Sequence, residues 1–161
     1  MIEISKYKNS LMKEIFENQT IVDAIDSQSE NYVKGENDTL IDENIFPYLR
    51  IPETQRDADC FVLMEVDVTN VNRHNKIYSD IRITLWVMCH QERMKIRLPQ
   101  GSATRTDFIG EQLIEMLNGK ERYGVSSLEL VSSRGIVFND KWQYREVVFK
   151  GFDLNREVCE D

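Results

Sequence analysis

Two runs of alternating side chains constrain the fold of this chain more than any other feature. Apolar and polar residues alternate through residues 60–69, where Met64, Val66 and Val68 share one face, and they alternate again through residues 77–89. Successive side chains of a β-strand point to opposite faces of the sheet, so a period of two is typical of a half-buried strand. A polar turn separates the two runs. The pattern therefore predicts an antiparallel hairpin.

A second hairpin is predicted later in the sequence. Residues 128–138 and 142–152 are rich in the β-branched and aromatic side chains that favour strands. The tripeptide Asn-Asp-Lys at 139–141 is turn-forming and joins them. Gly135 interrupts the first of these strands, and we expect a β-bulge there.

Helices are predicted before and between the hairpins. Apolar residues recur at the spacing of an amphipathic helix over residues 5–18 and again over residues 107–118. Thr104 or Thr106 is expected to cap the second of these helices. Thr20 begins a weaker capping motif, which predicts one further short helix after the first.

A long segment without periodicity lies between the first helices and the first hairpin. We predict that residues 27–59 form a loop or arm within a single domain spanning residues 1–161. The segment is too apolar for a solvated linker, because it contains Ile45, Phe46, Tyr48, Leu49 and Ile51. We expect these residues to pack on the chain's own sheet or to form an interface with a neighbouring subunit.

The predicted elements give an α+β fold. Their order is helix, loop, strand, strand, helix, strand, strand. We expect a mainly antiparallel sheet of about four strands, with the N-terminal helix and the central helix packed on one face. A chain of 161 residues is long enough to bury a sizeable core as one domain.

The net charge and the cysteine content exclude several classes of partner and site. The formal net charge of -8 opposes general attraction to nucleic acid or to anionic lipid, so proteins are the expected partners. The three cysteines include no CxxC pair, which favours reduced thiols over a disulfide framework or a zinc site. The apolar runs are strand-sized, so no membrane span and no export signal are expected.

Two groups of residues permit a catalytic hypothesis. Cys89 and His90 are adjacent, but neighbouring strand residues point to opposite faces, so they are expected to be a core thiol beside a surface imidazole. A magnesium-dependent nuclease would gather carboxylates, and the candidates are Asp57, Asp59, Glu65, Asp67 and Asp80. A solvated strand face explains Glu65 and Asp67 without catalysis. We therefore expect no enzyme, no metal and no cofactor.

Basic residues cluster around the loop at 91–104. They are Arg93, Lys95, Arg97 and Arg105. No aromatic residues are interleaved with them, as they are in proteins that stack nucleic-acid bases. We therefore predict that these residues belong to a charged interface with another protein.

Several features together resemble a known family. They are the Ile-Phe-Pro-Tyr motif at 45–48 with Ile51-Pro52, the aromatic-bearing strand that ends at Cys89-His90, the Arg105-x-Asp107 opening of a helix, and the final hairpin over 128–152. In this order of elements the chain resembles the tail-terminator and tail-completion proteins of tailed bacteriophages, which join tail to head. The polar insertion at 27–39 departs from short members of that family.

The resemblance implies a structural role in the virion. It implies a homo-oligomeric ring, usually a hexamer, that caps the tail tube, stops its polymerisation and joins it to the connector or neck. The implied partners are other copies, the tail tube protein, connector or neck proteins and the sheath, with DNA only passing through the lumen. The implied location is the tail and neck of the virion, after synthesis in the host cytoplasm. No catalytic residue is transferred.

Two alternatives remain open at this point. The first is the metal-dependent nuclease, or another nucleic-acid-processing enzyme, which needs the carboxylates to converge within a few ångströms. The second is a monomeric adaptor that binds peptides at a sheet edge. The oligomeric state separates the adaptor from the ring subunit.

Overall fold

The computed structural model describes residues 3–50, 58–71 and 78–154. Its α-helices are α1 (Ile4–Glu17), α2 (Gln19–Ile25) and α3 (Arg105–Leu117). Asn18 separates α1 from α2 because its backbone is extended there (ψ 98°), and its side-chain oxygen accepts a hydrogen bond from the Ile21 N–H at 3.3 Å. The short second helix is thus confirmed, but Asn18 and not Thr20 caps it.

The main sheet has five strands. They are β1 (Ile45–Phe46), β2 (Cys60–Val71), β3 (Tyr78–His90), β6 (Glu129–Val137) and β7 (Trp142–Leu154). Their spatial order is β1-β2-β3-β7-β6, with β1 parallel to β2 and all other neighbours antiparallel. The two predicted hairpins are confirmed, and they join through β3 and β7. The α+β class is confirmed, and the expected count of about four strands is too low.

The expected bulge lies at a different residue. Gly135 pairs regularly with Arg145, and the register shifts instead between Leu130 and Ser132. The extra residue is Val131, which is exposed on the outermost strand. An edge strand absorbs an inserted residue easily, because only one neighbour has to adjust.

The helices cover one face of the sheet and form the main core. Residues paired across strands share a face, so Ile83 lies beside Phe149 and Leu85 beside Val147. All four are fully buried, together with Leu113 of α3. This arrangement confirms that the N-terminal and central helices pack on the same side.

The opposite face of the sheet carries a second apolar cluster. Its buried members are Phe46, Phe61, Leu63, Met88 and Trp142. They gather at the end of the sheet where β3 finishes and β7 begins. Further from this end the same face carries charged residues, such as Arg82 and Lys150, which are paired across β3 and β7.

The segment predicted to be a loop at 27–59 is partly regular. It contains a 3-10 helix at Asn37–Leu40 and the strand β1. The Asn44 amide donates to the Cys60 carbonyl at 2.8 Å, and the Asn44 carbonyl accepts from the Val62 N–H at 2.7 Å. Leu40 and Ile45 are fully buried. The part of the segment up to residue 46 therefore packs on the chain's own sheet.

The loop predicted at 91–104 is a second, smaller sheet. After a 3-10 turn at Gln91–Arg93, strands β4 (Lys95–Leu98) and β5 (Gly101–Thr104) form a two-stranded hairpin. Such an isolated hairpin is marginal in water and needs support from elsewhere. Thr104 occupies the N-cap position of α3 as expected, although its side chain makes no capping hydrogen bond.

Candidate interaction surfaces

One edge of the main sheet is closed by the chain itself. The outward N–H of Val62 is bonded to Asn44, and that of Cys60 is bonded to the Asp59 carboxylate at 2.8 Å. Further along β2, the Glu65 carboxylate accepts the Val66 N–H at 3.1 Å. Lys8 holds that carboxylate in an ion pair of 2.7 Å. The combination of a charge and satisfied donors is how natural sheets prevent edge-to-edge association.

The other edge of the sheet, β6, is covered at its start, where the Leu130 N–H donates to the Asn118 side-chain oxygen at 3.0 Å, and its later residues are open. In the described part of the chain no strand lies beyond it. Four exposed apolar side chains lie on β6 and just after it, and we call them the β6 surface: Leu130, Val131, Val137 and Phe138. Val137 is 70% exposed. The strand has the bulge at Val131 but contains neither Pro nor Lys, and its one cation, Arg134, is paired with Glu146 at 3.0 Å. Such an edge is a template for another chain.

A row of aromatic rings crosses the face opposite the helices. Tyr48 contacts Phe46 with ring centroids 5.7 Å apart, Phe46 contacts Phe61 at 6.1 Å, and Phe61 contacts Trp142 at 5.8 Å. The row is buried except at its outer end, where Tyr48 is 49% and Leu49 56% exposed. Tyr48 is therefore held by buried rings, which lowers the entropy lost when a partner covers it.

The small hairpin presents basic side chains at a fixed position. Lys95 and Arg97 are exposed on it. At its base, the buried Arg105 donates from Nε to the Arg93 carbonyl at 2.7 Å and from Nη1 to the Ala24 carbonyl. Arg105 thereby ties the hairpin to the last turn of α2. This anchor supplies the support that two short strands lack.

The predicted interface residues divide into three groups. Those on the surface are Tyr48, Leu49, Lys95, Arg97 and Arg93. Of these, Arg93 is mostly covered, because it is paired with Asp26 at 2.8 Å. Those buried within the chain are Ile45, Phe46 and Arg105, so they do not present a surface to a partner. Ile51 lies outside the described residues.

The β6 surface was missed by the sequence reasoning. Its apolar residues were assigned to a strand, but nothing local distinguishes an edge strand from a central one. The available signal was the adjacent pair Val137-Phe138, since a half-buried strand does not place apolar side chains on both faces. That pair marks the end of β6 at the turn.

The catalytic candidates do not converge on one site. Cys89 is buried under the helices, while the His90 ring packs against Trp142 on the other face with centroids 5.1 Å apart. Asp59 directly precedes β2 and Asp67 lies within it, eight residues further on, which is about 26 Å at the usual rise of an extended chain. Burial raises the pKa of the Asp59 carboxyl group. Hydrogen bonds from the N–H groups of Cys60 and Gln28 offset part of this rise.

The other carboxylates of the nuclease hypothesis do not gather around one position either. Asp67 lies opposite Arg82 rather than another carboxylate. Asp57 lies outside the described residues. Among the described residues, no group of three or more His, Cys, Asp or Glu side chains is placed to hold a metal ion.

Comparison with known protein families gives a match over most of the chain. The model of a protein family described as YomW matches residues 18–151, which is most of the chain. This family name is associated with phages. No curated protein matches the chain. Within the described residues, no helix is both long enough and apolar enough to cross a lipid bilayer.

Proposed function

The chain belongs to the YomW family, which is phage-associated, and we propose that it is a structural subunit of a phage or phage-like tail. In this proposal, copies of the chain form a ring, with six subunits expected, that caps the tail tube and joins it to the connector or neck. The sequence resemblance to tail-terminator proteins supports the specific role. The structure supports the more general one, a subunit that assembles.

The observation that carries the proposal is the difference between the two edges of the sheet. One edge is closed by Asp59, Asn44 and Glu65, each of which occupies an outward N–H of β2. The other edge is β6, with exposed apolar residues on and beside it. A monomeric protein normally protects both edges. A chain that covers one edge and leaves most of the other open is suited to add a partner at the open part.

A ring requires that each subunit present two different surfaces. Contacts of this head-to-tail kind close into a ring when the rotation between subunits permits it. The β6 surface is the first. The second is the exposed pair Tyr48 and Leu49, and the basic hairpin residues Lys95 and Arg97 are left to contact the tube or neck proteins. We assign the β6 surface to one side of the subunit in the ring and the second surface to the other side.

The net charge suits a ring around DNA. At -8 per subunit, six copies repel a phosphate backbone, so DNA passes through the lumen and does not adhere to it. Lys95 and Arg97 are then expected on protein contacts and not on the lumen wall. The remaining partners in this proposal are the tail tube protein, the neck proteins and the sheath.

Tail particles assembled with and without the chain test the role. We expect cryo-electron microscopy of particles to show a six-fold ring of this chain between tube and neck. Tubes made in its absence should lack a defined end and fail to join heads. Normally joined particles without the chain would contradict the proposal.

The same preparations separate the alternatives. A chain that stays monomeric and binds a peptide at β6 would be an adaptor. A purified chain that cleaves DNA only with added magnesium, and loses that activity in Asp67→Asn, would be the nuclease. Either result excludes the ring subunit as its main role.

A further inference from the structure

Two buried thiols lie directly opposite each other on neighbouring strands. Cys60 of β2 pairs with Cys89 of β3. Both thiols are free and fully buried on the helix-covered face. The sequence predicts reduced thiols, and these two agree with it, while Cys159 lies outside the described residues.

The hydrogen bonds around the pair define its geometry. The His90 N–H donates to the Asp59 carbonyl at 3.2 Å, so the residues flanking the cysteines are bonded and the cysteines themselves form a non-hydrogen-bonded pair. In such pairs the Cα atoms are about 4.5 Å apart and the side chains are at their closest. A disulfide needs Cα atoms between about 4.4 and 6.8 Å apart. The backbone therefore already holds the two Cα atoms within the range that a disulfide spans.

The surroundings make the two sulfurs chemically different. A hydrogen bond from the Cys60 thiol lowers the pKa of Cys89, and the nearby guanidinium groups of Arg105 and Arg93 act in the same direction. The same hydrogen bond, together with burial, raises the pKa of Cys60. The Cys89 thiol, which donates to the His90 carbonyl at 3.4 Å, ionises more readily than the Cys60 thiol, and we assign it the nucleophilic role in the proposal below.

We propose that Cys60 and Cys89 are an oxidation site, at which hydrogen peroxide closes a disulfide between β2 and β3. Peroxide is the oxidant of choice because it is close to water in size and the site is fully covered. A larger disulfide such as oxidised glutathione would have to displace the covering helices. This inference rests on the pairing of the two strands and is independent of the proposed tail function.

The reaction proceeds in two balanced steps. The Cys89 thiolate attacks one oxygen of hydrogen peroxide, the O–O bond breaks, and the departing hydroxide takes a proton to become water, leaving a sulfenic acid on Cys89. The Cys60 sulfur then attacks the Cys89 sulfur. The S–O bond breaks, and the hydroxide that leaves takes the Cys60 proton as a second water. Two thiols and one peroxide give one disulfide and two waters.

The disulfide would join β2 and β3 when the protein moves from a reducing to an oxidising environment. A protein made in a reducing cytoplasm keeps its thiols, and one released into an oxidising medium can form disulfides. The bond encloses the turn between β2 and β3, so it restricts the unfolded chain and stabilises the folded one. Oxidised protein would then be more resistant to unfolding than newly made, reduced protein.

Intact mass spectrometry after peroxide treatment tests the proposal. The folded full chain carrying Cys159→Ser is incubated with hydrogen peroxide for a day, quenched, unfolded and alkylated. We expect a loss of about two mass units and no alkylation, because two thiol hydrogens leave when the disulfide forms. Tryptic digestion should link the peptide 57–73 to the peptide 83–93. Dithiothreitol should reverse both changes.

A comparison with the unfolded chain shows whether the fold directs the reaction. The wild-type protein oxidised in urea should give mixed pairings among its three cysteines, whereas the folded protein should give only the 60–89 link. The oxidised folded protein should also have a higher Tm, which returns to the reduced value with dithiothreitol. Thiols that stay free, or that become sulfinic acids without a 60–89 link, would overturn the proposal.

Discussion

Replacement of Arg105 by methionine should separate the small hairpin from the rest of the fold. The Arg105 side chain is only 7% exposed, and it donates to the carbonyls of Arg93 and Ala24. The Ala24 carbonyl lies in the last turn of α2, where carbonyls have no partner within the helix. Methionine fills a similar volume but donates no hydrogen bond. Arg105→Met therefore leaves both carbonyls without their charged donor.

The size of the effect follows from these two bonds. A hydrogen bond from a charged donor contributes about 1.5 to 3 kcal/mol, so two contribute about 3 to 6 kcal/mol. Methionine also removes the cost of burying a guanidinium, which offsets part of this loss. We expect the free energy of unfolding to fall by about 3 kcal/mol. With a urea dependence of about 2 kcal/mol per molar, the midpoint moves by about 1.5 M.

Urea denaturation monitored by circular dichroism measures this change. Arg97→Met on the exposed strand of the same hairpin is the matched control, and it should stay within about 0.5 kcal/mol of the wild type. Hydrogen exchange should show faster amide exchange in residues 95–104 of Arg105→Met. If Arg105→Met and Arg97→Met have the same midpoint, Arg105 is not the anchor and the reasoning is refuted.

Three further predictions concern single sites. Gly124 has φ +85°, and an added Cβ would lie 2.4 Å from the Phe152 carbonyl oxygen. Gly119 has a similar φ of +77°, but a Cβ added there meets nothing within 4 Å. Gly124→Ala should therefore lower the Tm more than Gly119→Ala. Burial and the Glu14 charge raise the pKa of Tyr123, so the folded state resists its ionisation. The free energy of unfolding should then fall as the pH rises above the ordinary tyrosine value of about 10, and urea melts should show a weaker fall in Tyr123→Phe. Glu65→Val exposes the Val66 N–H, and light scattering should detect association that grows with protein concentration.

Local patterns in the sequence predicted the hairpins well. The alternation that contains Ile83 and Leu85 identified the helix-facing side of β3, and both residues are fully buried. The turn at 139–141 correctly joined the strands of the second hairpin. These features depend on neighbours in sequence, so a single sequence carries them.

Features that depend on distant contacts were not predictable. Arg105 was assigned to an exposed interface because charged residues are usually at the surface, and its actual partners are carbonyls far away in sequence. The adjacency of β3 and β7 places β6 at the edge, and the pair Val137-Phe138 indicates exposed apolar residues but not the order of the strands. The strand β1 is two residues long and gives no period to detect.

Native mass spectrometry of the purified chain tests the central claim, assembly through the β6 surface. The comparison uses the wild type, Val131→Lys, and Val125→Lys as a control, since Val125 and Val131 are both 48% exposed and only Val131 lies on β6. We predict that the wild type and Val125→Lys form a ring of six 19.0 kDa subunits, whereas Val131→Lys remains a monomer. A ring that forms equally in all three proteins, or a wild type that stays at 19.0 kDa at every concentration, would contradict this account.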